Sequence, residues 1–244
     1  MVERVDPRTA YVGVGPRAGA EFDAGLRSYM LSIYNMMASG ILLTGLVALG
    51  FSWGGMESPA AQVFLGGGIL KYIIMFAPLA MVIGLGVGIN RMSEANARML
   101  FWAYAVVMGL SLSTIFLAYT GTSIATTFFA SAASFGALSL YGYTTKKDLS
   151  AIGTFLIMGL VGIIVAMIAN MFIQSSAFSL VINAVGVLVF AGLTAYDMQK
   201  LKNIYAQVAN SDFRGKSVVL GALTLYLDFI NLFLFMLRFM GGRR

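Results

Sequence analysis

The sequence contains no cysteine, no histidine and only four prolines among its 244 residues. Without cysteine the chain cannot form a disulfide, supply a thiol nucleophile or bind a metal through thiolates. Without histidine it lacks the side chain that most often carries protons near neutral pH and most often ligates metals. Any response to pH near neutrality must therefore depend on carboxyl groups in an unusual environment.

Charge is also scarce, because Asp, Glu, Lys and Arg make up 11% of the chain, whereas soluble domains carry about 25%. Hydrophobic residues account for 59%, and the mean hydropathy is +0.85. This composition predicts an all-α polytopic membrane protein. The formal net charge of +6 is attributed to basic residues that flank membrane helices. No basic cluster with interleaved aromatic residues indicates nucleic-acid binding.

Seven apolar segments are long enough to cross a bilayer as helices. They are predicted at residues 28–51, 64–89, 99–119, 124–143, 151–173, 178–198 and 218–240. The longest internal loop is predicted at residues 199–216. Residues 1–27 mix charges, prolines and glycines and lack the apolar core of a signal peptide. They are predicted to form a partly disordered N-terminal cytoplasmic tail, and residues 28–244 a seven-helix transmembrane domain.

The distribution of lysine and arginine predicts how the chain is oriented in the membrane. With seven crossings, most of these residues fall on the side that holds the N-terminus. Because cytoplasmic loops are enriched in lysine and arginine, the N-terminus is predicted inside and the C-terminus outside. The alternative is a last helix that re-enters the membrane and leaves both ends inside.

Asp228 lies near the centre of the last apolar segment, where a charged carboxylate costs roughly 2.5–3.5 kcal/mol. At about 100° per residue it shares a narrow polar stripe with Ser217, Gly221, Thr224 and Asn231. Inside lipid, such a stripe must be covered by other helices or by water.

A second acid, Asp197, lies near the inner end of the sixth segment, on one helical face with Thr194. If it meets Asp228, the two carboxyl groups share a proton and form a pH-sensing pair. The predicted boundaries leave a difference in depth of up to about 10 Å between them. The alternative is that Asp197 is an interfacial residue beside Lys200.

Other polar residues near the pair are candidates for supporting roles. Arg91 ends the second segment and could compete for the carboxylates as a latch, with Arg98 as the alternative. Both arginines also fit the simpler role of basic flanking residues. Thr194, Thr224 and Asn231 are predicted to line a polar pathway.

Several familiar motifs are excluded. The stretch GLGVG at residues 84–88 resembles a dinucleotide loop only loosely, because it closes a membrane helix and does not join a strand to a helix. Gly84 and Gly88 are predicted to form a ridge for close helix packing. The sequence has no P-loop, zinc spacing or calcium-binding hand.

Two stretches carry a recognisable pattern: FAGLTAYDMQKLKNIY in the sixth segment and GALTLYLDFINLFLFMLRFMGGRR in the seventh. They resemble the signature of the Bax inhibitor-1 family, also called the transmembrane Bax inhibitor motif family. The seven segments, the Lys-Lys-Asp loop at residues 146–148 and the total length fit as well. The N-terminal stretch EFDAGLRSYM resembles bacterial members, which implies the bacterial inner membrane.

The resemblance implies a seven-helix fold with the last helix at the centre of the six others, and a pH-sensitive calcium leak across the membrane. It assigns Asp197 and Asp228 as the pH-sensing pair and gating site, with Arg91 as the nearest match to the family's latch. Calcium would be the permeant ion, bound weakly and transiently by the two aspartates. Two carboxylates are too few for tight binding, which needs six to eight oxygens. No cofactor is expected.

Two alternatives of other classes remain. The first is a non-conducting regulator that binds other membrane proteins, such as a membrane protease. The second, less favoured, is an intramembrane aspartyl protease. Tyr196 and Asp197 match one motif of such enzymes, but residues 225–228 lack the glycines of the other and no Pro-Ala-Leu motif follows. The prediction is that the protein is not an enzyme.

Overall fold

The computed structural model describes residues 16–243, and in this range the chain forms helices and no strand. The eight α-helices are α1 (Pro16–Phe51), α2 (Pro59–Leu65), α3 (Leu70–Gly88), α4 (Glu94–Ala118), α5 (Gly121–Thr144), α6 (Ser150–Ile173), α7 (Ser176–Val208) and α8 (Arg214–Met240). All except the short α2 are long and apolar enough to cross a membrane. The predicted all-α polytopic fold with seven spans is confirmed.

Short polar residues mark where several helices begin. Ser93, Thr120 and Ser175 precede α4, α5 and α7, and each side chain accepts a hydrogen bond from the backbone N–H three residues later. Such N-caps satisfy backbone donors that have no partner within the helix. Within the spans the helical hydrogen bonds satisfy the remaining backbone groups, which lipid could not do.

Helix α8 is the centre of the bundle. In the most apolar part of α8, 72% of the residues are buried, against 17–39% in the other six spans. It packs closely against α1, α4, α5 and α7, while α3 lies on α4 and α6 lies on α7. The last helix is therefore central, but its immediate neighbours are four helices, and α3 and α6 form an outer layer.

The first helix is longer than predicted. Of the predicted tail, residues 1–15 lie outside the described residues, and residues 16–27 continue α1 as helix. The reason is packing: Leu26 is buried, and the ring of Phe22 lies 5.1 Å from the ring of Tyr205 on α7. These contacts stabilise the helix beyond its apolar segment.

The predicted loop at residues 199–216 is wrong. Helix α7 continues to Val208 and α8 begins at Arg214, so only residues 209–213 connect them. The extension of α7 carries Leu201 and Tyr205, whose side chains are buried. The charged residues in this stretch occupy the outer face of a helix that still has an apolar inner face.

The connections lie at two opposite ends of the bundle. The basic end holds the start of α1 and the α3–α4, α5–α6 and α7–α8 connections. The hairpin end holds the α4–α5 turn, where the Thr120 N–H donates to the Gly242 carbonyl (3.3 Å) and the Gly242 N–H donates to Ser123 Oγ (2.7 Å). The C-terminus is thus fixed opposite the start of α1. The alternative of a re-entrant last helix is wrong, because α8 crosses the bundle without a break.

Tyr29 on α1 and Ser217 on α8 are joined by a buried hydrogen bond between their hydroxyl groups (2.6 Å). We expect Tyr29→Phe to lower the free energy of unfolding by about 1–3 kcal/mol, because Ser217 loses this buried partner. Unfolding in mixed detergent micelles measures the change. Tyr141→Phe is the matched control, since the Tyr141 side chain is exposed. An equal loss in both variants would contradict a role for this bond.

Candidate functional site

Asp197 on α7 and Asp228 on α8 lie side by side, with their carboxyl groups within hydrogen-bond reach of each other. The helix ends explain why the predicted difference in depth is absent. Asp197 lies about 17 Å from the end of α7 at Val208, and Asp228 about 21 Å from the start of α8 at Arg214. The extended helices therefore place the two acids at nearly the same level. Two carboxyl groups in such contact need a shared proton.

Asp228 is the more enclosed of the two acids. It is 5% exposed, whereas Asp197 is half-buried. Among the described residues, Asp228 Oδ2 has no hydrogen-bond partner. A buried acceptor without a partner costs about 1–3 kcal/mol. The site therefore contains an oxygen that a proton, a water molecule or a cation would stabilise.

Lys200 is the cation whose charge acts on Asp197. It follows Asp197 by about one helical turn, is exposed, and its Nζ lies 5.9 Å from the centre of the Tyr196 ring. From the sequence, Asp197 could be either an interfacial residue beside Lys200 or the partner of Asp228. The structure places Asp197 near both.

Neither candidate latch touches the pair in this conformation. Arg91 is exposed at the end of the 3-10 turn that follows α3. Within residues 16–243 it forms no ion pair with either aspartate, and Arg98 is paired with Glu94 on its own helix (2.6 Å). The reason lies in the layering, because α3 packs on α4 in the outer layer and not on α7.

The three polar residues predicted along a pathway use their donors within their own helices. Thr194, Thr224 and Asn231 each donate to the carbonyl oxygen four residues earlier, at 2.8, 3.0 and 2.8 Å. Thr194 is fully buried and the other two are half-buried. Thr194 lies three residues from Asp197, and Thr224 and Asn231 lie four and three residues from Asp228, so each shares the helical face of its acid.

Two glycines that were not predicted from the sequence pack closely against the segment that precedes Asp197. A Cβ at Gly142 on α5 would clash with the Ala195 carbonyl, and one at Gly153 on α6 would clash with the Tyr196 ring. The predicted packing ridge at Gly84 and Gly88 is wrong. A Cβ at Gly84 would meet nothing within 4 Å, and one at Gly88 would meet only the side chain of Met92, four residues later in the chain. Helix α3 is peripheral, and a single sequence does not show which glycines face a neighbouring helix.

In the part of the chain that the structure describes, no group of three or more His, Cys, Asp or Glu side chains is placed to hold a metal. The pair alone offers four carboxyl oxygens, fewer than the six to eight that a tight calcium site uses. The pair alone therefore falls short of the donor set of a tight calcium site.

Comparison with known proteins places these features in a family. Residues 26–244 match the family model described as inhibitor of apoptosis-promoting Bax1. The chain is 47% identical to an uncharacterized protein of Rickettsia prowazekii over 223 residues, 91% of this chain and 93% of the relative. It is also 47% identical to the inner membrane protein YbhL of Escherichia coli, over 91% of this chain and 94% of the relative. An uncharacterized membrane protein of Streptococcus pyogenes is 34% identical, with 90% and 94% covered.

With these matches, the seven spans and the paired acids of its last two helices, the chain is an integral membrane protein that belongs to the Bax inhibitor-1 family.

Proposed function

We propose that this protein lets calcium ions leak across the bacterial inner membrane in a pH-dependent manner, and that Asp197 and Asp228 form the gate. The observation that carries the proposal is the contact between these two carboxyl groups in the core of the bundle. It is supported by the burial of Asp228 and by the unpartnered Oδ2 atom.

Proton occupancy can act as a switch because it changes the force between α7 and α8. With one shared proton, the carboxyl groups attract each other through a hydrogen bond. With both ionised, two charges about 4 Å apart repel by about 4 kcal/mol at an effective dielectric constant of about 20. A shift from 1:99 to 99:1 between two states needs about 5.5 kcal/mol. Titration of this pair therefore supplies most of the energy that a gate requires.

The same pair suits a passing cation. Calcium would contact the carboxylates weakly and complete its shell with water or backbone oxygens, so that it could also leave. Thr194, Thr224 and Asn231 share the helical faces of the two acids and would line the pathway once α7 and α8 separate. Passage of calcium by this route needs no cofactor and no enzymatic step.

We also propose that Arg91 acts as a latch on the pair and that the basic end of the bundle faces the cytoplasm. Arg91 would reach the pair only in a second conformation, in which the end of α3 approaches α7. The neighbouring Asn90 carbonyl already accepts a hydrogen bond from Lys216 Nζ at the start of α8 (3.4 Å). The basic end would face the cytoplasm, because lysine and arginine favour that side.

Purified protein in liposomes tests the proposal. We expect calcium entry, followed with an enclosed dye, to exceed that of empty liposomes and to change between about pH 5 and pH 8, where an interacting carboxyl pair can titrate. The whole chain is used, and a detergent-treated empty liposome is the control. Entry no faster than the control at every pH would contradict conduction and would favour the non-conducting regulator.

A further inference from the structure

A long groove separates α1 from α5 on the side of the bundle that faces lipid. Both helices pack on α8, and contact between α1 and α5 is at most sparse. Three cavities of about 320, 620 and 400 Å³ follow one another along this gap. The first two share Phe128 and Phe229, and the second and third share Tyr34 and Gly136. They form one groove, and Phe229 of α8 is part of its floor.

The middle of the groove is apolar and has room for a ligand. Leu42 and Leu46 of α1 line it and are exposed. Gly45 of α1 and Gly136 of α5 line opposite walls, and a Cβ at either position would meet nothing within 4 Å. Sites of this volume, between about 300 and 1,000 Å³, are typical for small molecules.

The basic end of the groove is polar. Arg27 and Tyr143 line it, and Lys202 lies beside Tyr143, donating from Nζ to its carbonyl oxygen (3.0 Å). Ser139 lies one turn deeper, is 2% exposed and lines the groove, and its Oγ has no hydrogen-bond partner among the described residues. The neighbouring Tyr34 hydroxyl donates to the sulfur of Met198 (3.7 Å) and also lies within reach of the Ser139 hydroxyl.

The spacing of these features matches a membrane lipid. From Arg27 to Ile41, α1 rises about 21 Å. This length exceeds the thickness of one leaflet, which is half of a hydrocarbon core about 30 Å thick. A phosphate at Arg27 would form charge-assisted hydrogen bonds with the guanidinium group. An ester carbonyl just below it would accept a hydrogen bond from Ser139. An acyl chain would then follow the groove to Phe229, the residue next to Asp228.

We propose that the α1–α5 groove is a binding site for one phospholipid of the surrounding membrane, with a preference for an anionic headgroup. Arg27 supplies the positive charge, Ser139 supplies the hydrogen bond, and the apolar groove holds one acyl chain. The site does not depend on calcium conduction, because it is defined by the groove between α1 and α5 alone.

Native mass spectrometry of the purified full-length protein tests the site, with phosphatidylglycerol and phosphatidylcholine as separate probes. We expect Gly136→Phe to lower phosphatidylglycerol binding about tenfold, because the new ring fills the groove. Gly45→Phe fills the groove from the opposite wall and provides a second measurement of lipid binding if one of the two variants does not fold. Gly162→Phe is the control, since Gly162 lies on exposed α6 and its Cβ would meet nothing within 4 Å.

Arg27→Gln tests the headgroup assignment in the same experiment. We expect it to weaken phosphatidylglycerol binding about tenfold and to leave phosphatidylcholine binding unchanged, because only the anionic lipid gains from the charge. Unchanged phosphatidylglycerol binding in folded Gly136→Phe and Gly45→Phe proteins would overturn the site. Equal binding of the two lipids, unchanged in Arg27→Gln, would overturn the headgroup preference.

Discussion

Asp228→Asn is expected to reduce the pH-dependent change in calcium flux at least about tenfold between pH 5 and pH 8, because the carboxyl pair no longer titrates. The asparagine amide can still donate a hydrogen bond to Asp197, so the two helices can keep their contact. It can neither bind nor release a proton, and the repulsion of about 4 kcal/mol between two ionised acids is lost. Flux measured in liposomes over this pH range gives the result directly.

Asp148→Asn is the matched control for this variant. Asp148 lies in the α5–α6 connection, outside the membrane, where hydrogen bonds from the Ser150 side chain and from the Ser150 N–H (2.9 Å) lower the pKa of its carboxyl group. It therefore stays ionised across the tested range, and its removal should leave the pH profile unchanged. A full pH response in Asp228→Asn would rule out the gate, and an equal loss in both variants would attribute the response to surface charge.

The sequence predicted the fold class well because the relevant signals are local. Seven apolar segments of sufficient length can exist in a membrane only as helices. The carboxylate of Asp228 had to be covered by protein, and its helical stripe marked the face that would be covered. Both inferences required only composition and the period of a helix.

The level of Asp197 could not be predicted in the same way. The stretch from Gln199 to Val208 carries enough charge to resemble a loop, and its helix depends on Leu201 and Tyr205 being buried against other helices. That burial is a tertiary effect, so a single sequence does not reveal it. The depth of the pair relative to the helix ends followed only from the structure.

The same limit applies to Arg91 and to the packing glycines. The sequence placed Arg91 on the correct end of the bundle but could not show that α3 lies in the outer layer. Gly84 and Gly142 both lie in apolar helices, yet only Gly142 touches the backbone of another helix. Which face of a helix meets a neighbour depends on the whole assembly.

Gly142→Ala is expected to cause a large loss of stability, on the order of 1–3 kcal/mol or more in the free energy of unfolding. The added Cβ would clash with the Ala195 carbonyl, a backbone atom that cannot rotate away. Helices α5 and α7 must then move apart along their contact. Unfolding in mixed detergent micelles measures this loss.

Gly136→Ala on the same helix separates the clash from the effect of losing a glycine. Its Cβ would meet nothing within 4 Å, and alanine favours a helix by about 1 kcal/mol over glycine. We expect this variant to be as stable as the original protein or more stable. Similar losses in the two variants would mean that the close approach of α5 to Ala195 does not stabilise the bundle.

The Gly142 variant also tests whether the position of the aspartate pair matters as much as its charge. Ala195 precedes Asp197 by two residues, so a displaced α7 would move Asp197 relative to Asp228 while leaving every titratable group in place. We therefore expect folded Gly142→Ala protein to show an altered pH profile of calcium flux, and Gly136→Ala to keep the original one. If Gly142→Ala is destabilised but keeps the original profile, the gate does not depend on the close contact between the two carboxyl groups.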